Sequence, residues 1–404
     1  MRLKGQHWLS DPATAAVFDA LEAEGGPDCA RFVGGCIRNA LVGRPVDDID
    51  IATRLTPERS MAALQAAGIK VVPTGLAHGT VTAVSNRRPH EITTLRRDVE
   101  TDGRRAVVAF TDDWAKDAAR RDFRLNALYA DRTGAIFDPT REGIEDALAG
   151  RVVFVGHPDR RIEEDYLRIL RFFRFFAWYG RGEPDADGLA ACARHADGMS
   201  RLSAERVSKE LLKLLSAPDP RPTVRAMQGA GVLERVIPTH VTLEAFETIV
   251  GLTDDAVLRL SALLPDDPVA VAEAARALRL PRAVEGRLSH AANGPLDPTT
   301  QARDLRALTY RSGRQAVRDR LMRGWALRPD QSDAAETALA AIDAWPVPRL
   351  PVGGREVARL GIEPGPATGL ILKAFEDAWI ADDFPSDGHE DRLKALAASP
   401  GRSG

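Results

Sequence analysis

The 404-residue chain has little cysteine: Cys29, Cys36 and Cys192 stand far apart, with no CxxC pair. That excludes a disulfide framework and a thiolate zinc site. Eight histidines are scattered without an HExxH pattern, which argues against a metallohydrolase. No run approaches the ~18 apolar residues of a membrane span, and the N-terminal MRLKGQHWLSDPATAAV lacks a signal-peptide apolar core. The expectation is a soluble, cytoplasmic protein with no membrane contact. Positive charge is not in excess either. The formal net charge is −3, so any surface for nucleic acid must be a local one. What the chain does have is length and 44% hydrophobic residues, enough for two to four domains.

The first ~140 residues mix helical and strand patterns. CARFVGG, DIDIAT, GTVTAVS, HEITTL and GAIFDP are short apolar or alternating runs bounded by breakers, as strands are. From residue 141 onward strand signals nearly vanish, and EEDYLRILRFFRFFAWYG, SAERVSKELLKLLSA, DAVLRLSALL, PVAVAEAARALRL and QSDAAETALAAIDAW show apolar spacing near 3.6. Proline-rich breaks at 216–222, 293–299 and 345–354 divide this part. The pattern predicts an α+β fold: a head with a small mixed β-sheet (1–140), then an elongated all-helical neck (141–215), body (216–330) and tail (331–404).

Residues 33–53, VGGCIRNALVGRPVDDIDIAT, set chemistry in this frame. Two carboxylates at i and i+2 of a strand share a face and repel unless a cation sits between them. Asp48 and Asp50 in such a strand suit a hard divalent ion, Mg²⁺, which keeps a substrate phosphate in its shell. Upstream, Gly34 and Gly35 let backbone approach a ligand closely, and the helix that follows turns N–H groups and Arg38 toward phosphate oxygens. Taken singly, each motif reads as a glycine turn, a surface arginine and solvated aspartates. Together, in this order and spacing, they point to nucleotide-plus-metal chemistry.

GGxxR followed by a DxD strand resembles the signature of the polymerase-β-like nucleotidyltransferases. Its form here is similar to the bacterial branch that holds tRNA CCA-adding enzymes and poly(A) polymerases. HEITTLRRD (90–98) resembles the strand of the third catalytic carboxylate, which implies that role for Glu91. RRDFRLNAL (120–128) matches the RRDFTxNA motif, with Arg124 and Leu125 in place of Thr and Ile. GIEDALAGRV (143–152) matches the link out of the head, EEDYLRILRFFRF (163–175) the nucleotide-selecting helix, and RLSAERVSKEL (201–211) the helix after it. Asn39 departs from the Asp found in many members. The motifs cover residues ~31–211; beyond them the likeness is loose, mainly through 350–372.

The resemblance implies transfer of a nucleotide to the 3′ end of tRNA from CTP and ATP. Asp48 and Asp50 would be metal ligands and Glu91 a third carboxylate assisting attack. Arg121, opening a helix with Asp122, would reach the triphosphate. On the helix expected from Glu163 to Trp178, Asp165, Arg168, Arg171 and Arg174 recur every three residues and fall near one face. An arginine donates to cytosine O2 and N3, or to adenine N1, while an aspartate accepts from the exocyclic amine. Guanine and uracil leave such a pair unmatched. In the body, 303–328 carries eight arginines against two aspartates, suited either to running along RNA phosphates or to a solvated face. The resemblance also implies tRNA contact by body and tail. The alternatives are a poly(A) polymerase, an enzyme adding part of CCA, and a catalytically silent RNA-binding relative.

Overall fold

A computed structural model describes residues 1–98 and 108–398 and divides the chain into two compact units, Met1–Val236 and Ile237–Gly404. The first unit holds strands β1 (Ala30–Val33), β2 (Asp50–Thr53), β3 (Lys70–Gly75), β4 (Thr80–Ser85), β5 (Arg88–Thr94), β6 (Arg96–Asp98), β7 (Val108–Phe110), β8 (Tyr129–Ala130) and β9 (Ile136–Phe137). Seven form one sheet in the order β3-β4-β5-β2-β1-β8-β9, and β6 and β7 pair separately. Its helices are α1 (Pro12–Gly25), α2 (Gly35–Leu41), α3 (Pro57–Ala66), α4 (Trp114–Ala119), α5 (Gly143–Ala149), α6 (Pro158–Glu164), α7 (Leu167–Tyr179), α8 (Ala186–Arg194), α9 (Ala204–Leu215), α10 (Arg221–Gly229) and α11 (Leu233–Val236).

The sheet is mixed, as the pattern predicts. All its neighbours are antiparallel except β2 and β5, which run parallel with Asp50 opposite Glu91. Alternation along β1 sends Phe32 against Trp8 and Phe18, on the face that α1 covers. Val33 and Ala52 face the other way, into a core with Leu95, Trp114, Ala127 and Tyr129. Asp50, two residues before Ala52, belongs to this second face. The pattern does not announce β3 and β8. β3 is a largely exposed edge strand that carries Pro73, and β8 is only two residues long.

Three local expectations are corrected. Asp48 lies in coil, because β2 begins only at Asp50, where pairing with β5 begins. The neck helix starts at Leu167 instead of Glu163. Asp165 is extended (φ −155°) and its carboxylate accepts the Leu167 N–H at 3.1 Å, a local bond that ends α6 and starts α7. Arg121 and Asp122 follow α4 in a turn and open no helix. The Asp122 carboxylate accepts from the Phe123 N–H (2.8 Å) and from Asn126 Nδ2 (3.1 Å), folding Arg124–Asn126 into a single 3-10 turn.

α7 packs on this head by its aromatic side: Phe172 stacks on Phe154, and Phe175 meets Phe123 edge-on at 5.3 Å. Burying such rings is worth about 1.5–3 kcal/mol apiece, and they hold the neck helix against the RRDF turn.

The second unit is helical throughout its described residues: α12 (Glu244–Leu252), α13 (Ala256–Leu263), α14 (Pro268–Ala277), α15 (Arg282–Ala291), α16 (Ala302–Ser312), α17 (Arg314–Leu327), α18 (Ser332–Ala344), α19 (Gly354–Ala358), α20 (Pro366–Ala381) and α21 (His389–Ala397). Each of the eight arginines of 303–328 has a partner within this unit. Arg306 pairs with Asp383, Arg311 with Asp377, Arg318 with Asp343, Arg323 with Asp266 and Arg328 with Asp297. Arg303, Arg314 and Arg320 donate to the carbonyls of Ala381, Trp345 and Gly294. They staple helix to helix. The tail adds a core of Val352, Val357, Ile371, Phe375, Trp379 and Leu393.

Candidate active site

The register of β2 and β5 sets Asp50 and Glu91 side by side, one strand spacing of about 4.8 Å apart, on one sheet face. Asp50 is half-buried, while Asp48 and Glu91 are exposed. Burial pushes the Asp50 carboxyl up to about 6, with Glu91 and then Asp48 adding repulsion and Arg121 opposing. Among the described residues no side chain hydrogen-bonds or ion-pairs to the carboxylates of Asp48, Asp50 or Glu91. Nor do three such side chains form a ready-made metal cluster there. The donor set still fits a divalent cation: hard carboxylate oxygens, crowded, without a protein cation between them, and short of ligands that substrate phosphate would complete.

Gly34 ends β1 and precedes α2 with φ +73° and ψ −116°, a backbone state that a residue with a Cβ avoids. Its N–H donates to the Leu128 carbonyl at 3.0 Å. A Cβ there would stand 3.7 Å from an Arg121 guanidinium nitrogen, so glycine and arginine border the same space. Gly35, the first residue of α2, has ordinary room and no strain.

Arg121 is oriented by Asp117, whose Oδ2 accepts its Nη2 at 3.0 Å, and by Tyr129 OH at 3.1 Å. Asp117 is 1% exposed; burial pushes its carboxyl up, but Arg121, Arg120 and the Tyr129 hydroxyl together hold it below the usual range. Sequence reasoning misses Asp117, although its position three and four residues before two arginines is the available signal.

Arg38 is not a free phosphate fork. It is 8% exposed, bonded to Asn39 Oδ1 (2.9 Å), Asn126 Oδ1 and Tyr179 OH (2.8 Å), and lies over the Tyr179 ring at 4.1 Å. Asn39 accounts for its own departure from Asp: its Nδ2 donates to the Pro45 carbonyl at 2.8 Å, which a carboxylate cannot do.

The neck residues do not form the expected row. Asp165 Oδ2 accepts from Arg206 at 2.7 Å. Arg168 pairs with Glu164 at 2.5 Å and donates to the carbonyls of Arg161 (2.7 Å) and Arg120 (3.2 Å). Arg171 forks onto Asp122, and Arg174 pairs with Glu210 at 2.5 Å while lying over Phe175. Glu164, Arg206, Glu210 and Tyr179 are thus partners that motif spacing does not reveal. The three cysteines are buried and unpaired, and among the described residues no helix is long and apolar enough to cross a membrane.

Two family patterns match the chain: "Poly A polymerase head domain" at residues 30–153 and "Probable RNA and SrmB- binding site of polymerase A" at 183–243. The human mitochondrial CCA tRNA nucleotidyltransferase 1 is 34% identical over 382 residues, covering 89% of this chain and 85% of the relative. A CCA-adding enzyme of Streptococcus gordonii is 33% identical over 372 residues, covering 89% and 90%. Among solved structures, the Bacillus stearothermophilus CCA-adding enzyme in complex with CTP shares the fold, with a TM-score of 0.74 at 24% identity over 95% of this chain and 96% of that one. The chain belongs to the family of CCA tRNA nucleotidyltransferases, the CCA-adding enzymes.

Proposed function

We infer that this protein is a template-independent nucleotidyltransferase that adds or repairs the CCA end of tRNA from CTP and ATP. The carrying observation is the register that puts Asp50 beside Glu91, with Asp48 next to them and no protein cation paired to any of the three. Identity to CCA-adding relatives along most of the chain supports the choice of reaction and of RNA. Asp48 and Asp50 would hold Mg²⁺, which when bound supplies the positive charge that eases ionisation of a 3′ hydroxyl and steadies departing pyrophosphate. Glu91 takes the hydroxyl proton as the oxygen attacks the α-phosphorus. Gly34 and Gly35 leave backbone open to the triphosphate, and Arg121, held by Asp117, faces its charge.

Asp165 and Arg168 read the base edge by exchanging their present partners for the base. The Arg206–Asp165 pair lies near the surface, its side chains 48% and 34% exposed, and such pairs are worth only about 0–1 kcal/mol, so Asp165 gives up its partner cheaply. Arg168, more buried, gives up Glu164 and two carbonyls for the base. Arg171, Arg174 and Arg38 brace the wall behind them. The head carries the chemistry, the neck the selection, and the body and tail the grip on tRNA. A cytoplasmic setting is supported by the buried, unpaired thiols.

The test supplies tRNAs lacking one, two or three terminal nucleotides with each NTP singly. The reading expects A, C and C respectively, and no growth on intact CCA. Repeated A addition on every RNA would make the protein a poly(A) polymerase, and no addition at all a silent RNA-binding relative.

A further inference from the structure

At the other end of β2 from Asp50, an open cleft of 810 Å³ is lined by Arg31, Arg54, Trp114 and Phe137. Four residues of strand separate Asp50 from Arg54, about 13 Å. The Arg31 guanidinium lies over the Phe137 ring at 3.7 Å and the Trp114 ring at 4.5 Å, and Arg54 shares the same indole at 5.6 Å.

Two features of this arrangement lack a partner. Among the described residues neither arginine forms an ion pair; Arg54 donates only to the Asp112 backbone carbonyl, at 2.9 Å. Arg31 Nε and Trp114 Nε1 are buried donors with no acceptor, although Trp114 is only 7% exposed. The large majority of buried side-chain polar atoms in folded proteins are paired, so two orphan donors in one cleft call for an explanation. The lining acids do not supply it. Asp113 is spent on the Ala115 and Lys116 N–H groups, and Asp138 on Thr140 and Ile144. Asp112 is exposed and offers Arg54 its backbone. Burial holds the Arg31 guanidinium below the usual arginine range, with Asp28 opposing and Arg54 adding to the shift.

Two clustered cations with spare donors and flat aromatic walls need an anion with several acceptor oxygens. We propose that the head carries a second ligand site, in which Arg31 and Arg54 beside Trp114 and Phe137 bind a phosphate group. The phosphate comes either as a free anion or mononucleotide, or as a phosphodiester of an RNA strand whose bases stack on the rings. The cleft stands apart from the carboxylates, so the site does not rest on the proposed transfer reaction.

The experiment follows the indole N–H signals of the ¹⁵N-labelled full chain by NMR, without divalent ions, with Trp114→Phe assigning its signal. Inorganic phosphate, AMP and a single-stranded RNA pentamer are titrated separately. The expected result is a saturable shift of the Trp114 signal, lost in Arg31→Gln and at least tenfold weaker in Arg54→Gln. Arg54 is exposed, so that variant folds and carries the test even if Arg31→Gln does not. A response to phosphate or AMP assigns the free anion, and a response to RNA alone assigns the phosphodiester. No saturable shift with any probe, or an unchanged midpoint in Arg54→Gln, overturns the site.

Discussion

The turn around Asp122 and the sheet rim around Asp50 both withdraw carboxylates from water, and they shift them in opposite directions. Burial raises both. At Asp122 the Arg171 fork, Asn126 and the Phe123 N–H outweigh burial and hold the carboxyl below its ordinary range. At Asp50 the repulsion of Glu91 and Asp48 adds to burial and outweighs the pull of Arg121, leaving the carboxyl at about 6. Carboxylates that build the fold come with their own cations. Those at the rim are left without a paired one, an arrangement that costs stability and makes sense for groups that receive charge from a ligand.

Four substitutions sharpen or break this contrast. Asp48→Ala removes an exposed rim carboxylate, so nucleotide addition should fall about a thousandfold, the scale of losing one transition-state stabiliser, while tRNA affinity stays within twofold. A rate above a tenth of wild type would take Asp48 out of the metal site. Asp122→Ala should do the reverse and cost about 3 kcal/mol in urea unfolding, because it leaves Arg171 without its partner; an unchanged midpoint would show the fork to be ornamental. Asp165→Ala lies between the two classes. It loses a charge-assisted hydrogen bond of ~1.5–3 kcal/mol to the base amine, so preference for CTP and ATP over UTP and GTP should drop about ten- to a hundredfold. Equal slowing with all four nucleotides would make Asp165 structural. Arg311→Gln breaks a pair exposed on both sides and should change stability by less than about 0.5 kcal/mol; a larger loss in calorimetry would show that the body's staples act as a network.

The contrast also marks where sequence was readable. Five apolar runs became β1, β2, β4, β5 and β9, and the long amphipathic stretches became helices, because period and breakers act locally. Glu91 was legible only through family likeness, since its pairing with Asp50 is a contact across the sheet. The arginines misled. Arg38, Arg171 and those of 303–328 look like free cations in the sequence, yet their partners sit 25 to 141 residues away where they are not carbonyls or neighbours, as Asp343 and Tyr179 show. Asp165 likewise looked helical until its own carboxylate, bonding two residues ahead, set the start of α7.

The most direct measurement takes Asp50→Asn and reads nucleotide addition with Mg²⁺ present and, separately, the thermal midpoint in chelator from pH 4 to 7.5. An Asp has an unfolded pKa of ~3.9, and Asp50 in the fold stands at about 6. The raised value means that its protonated form favours folding; that contribution is present below pH ~4 and lost as pH rises through about 6. At pH 7.5 the ionised carboxylate therefore weighs against the fold, and asparagine relieves it. The account predicts a variant that adds no nucleotide yet melts higher than wild type at pH 7.5, with the advantage fading toward pH 4. An active variant, or one that melts lower than wild type at pH 7.5, would contradict it.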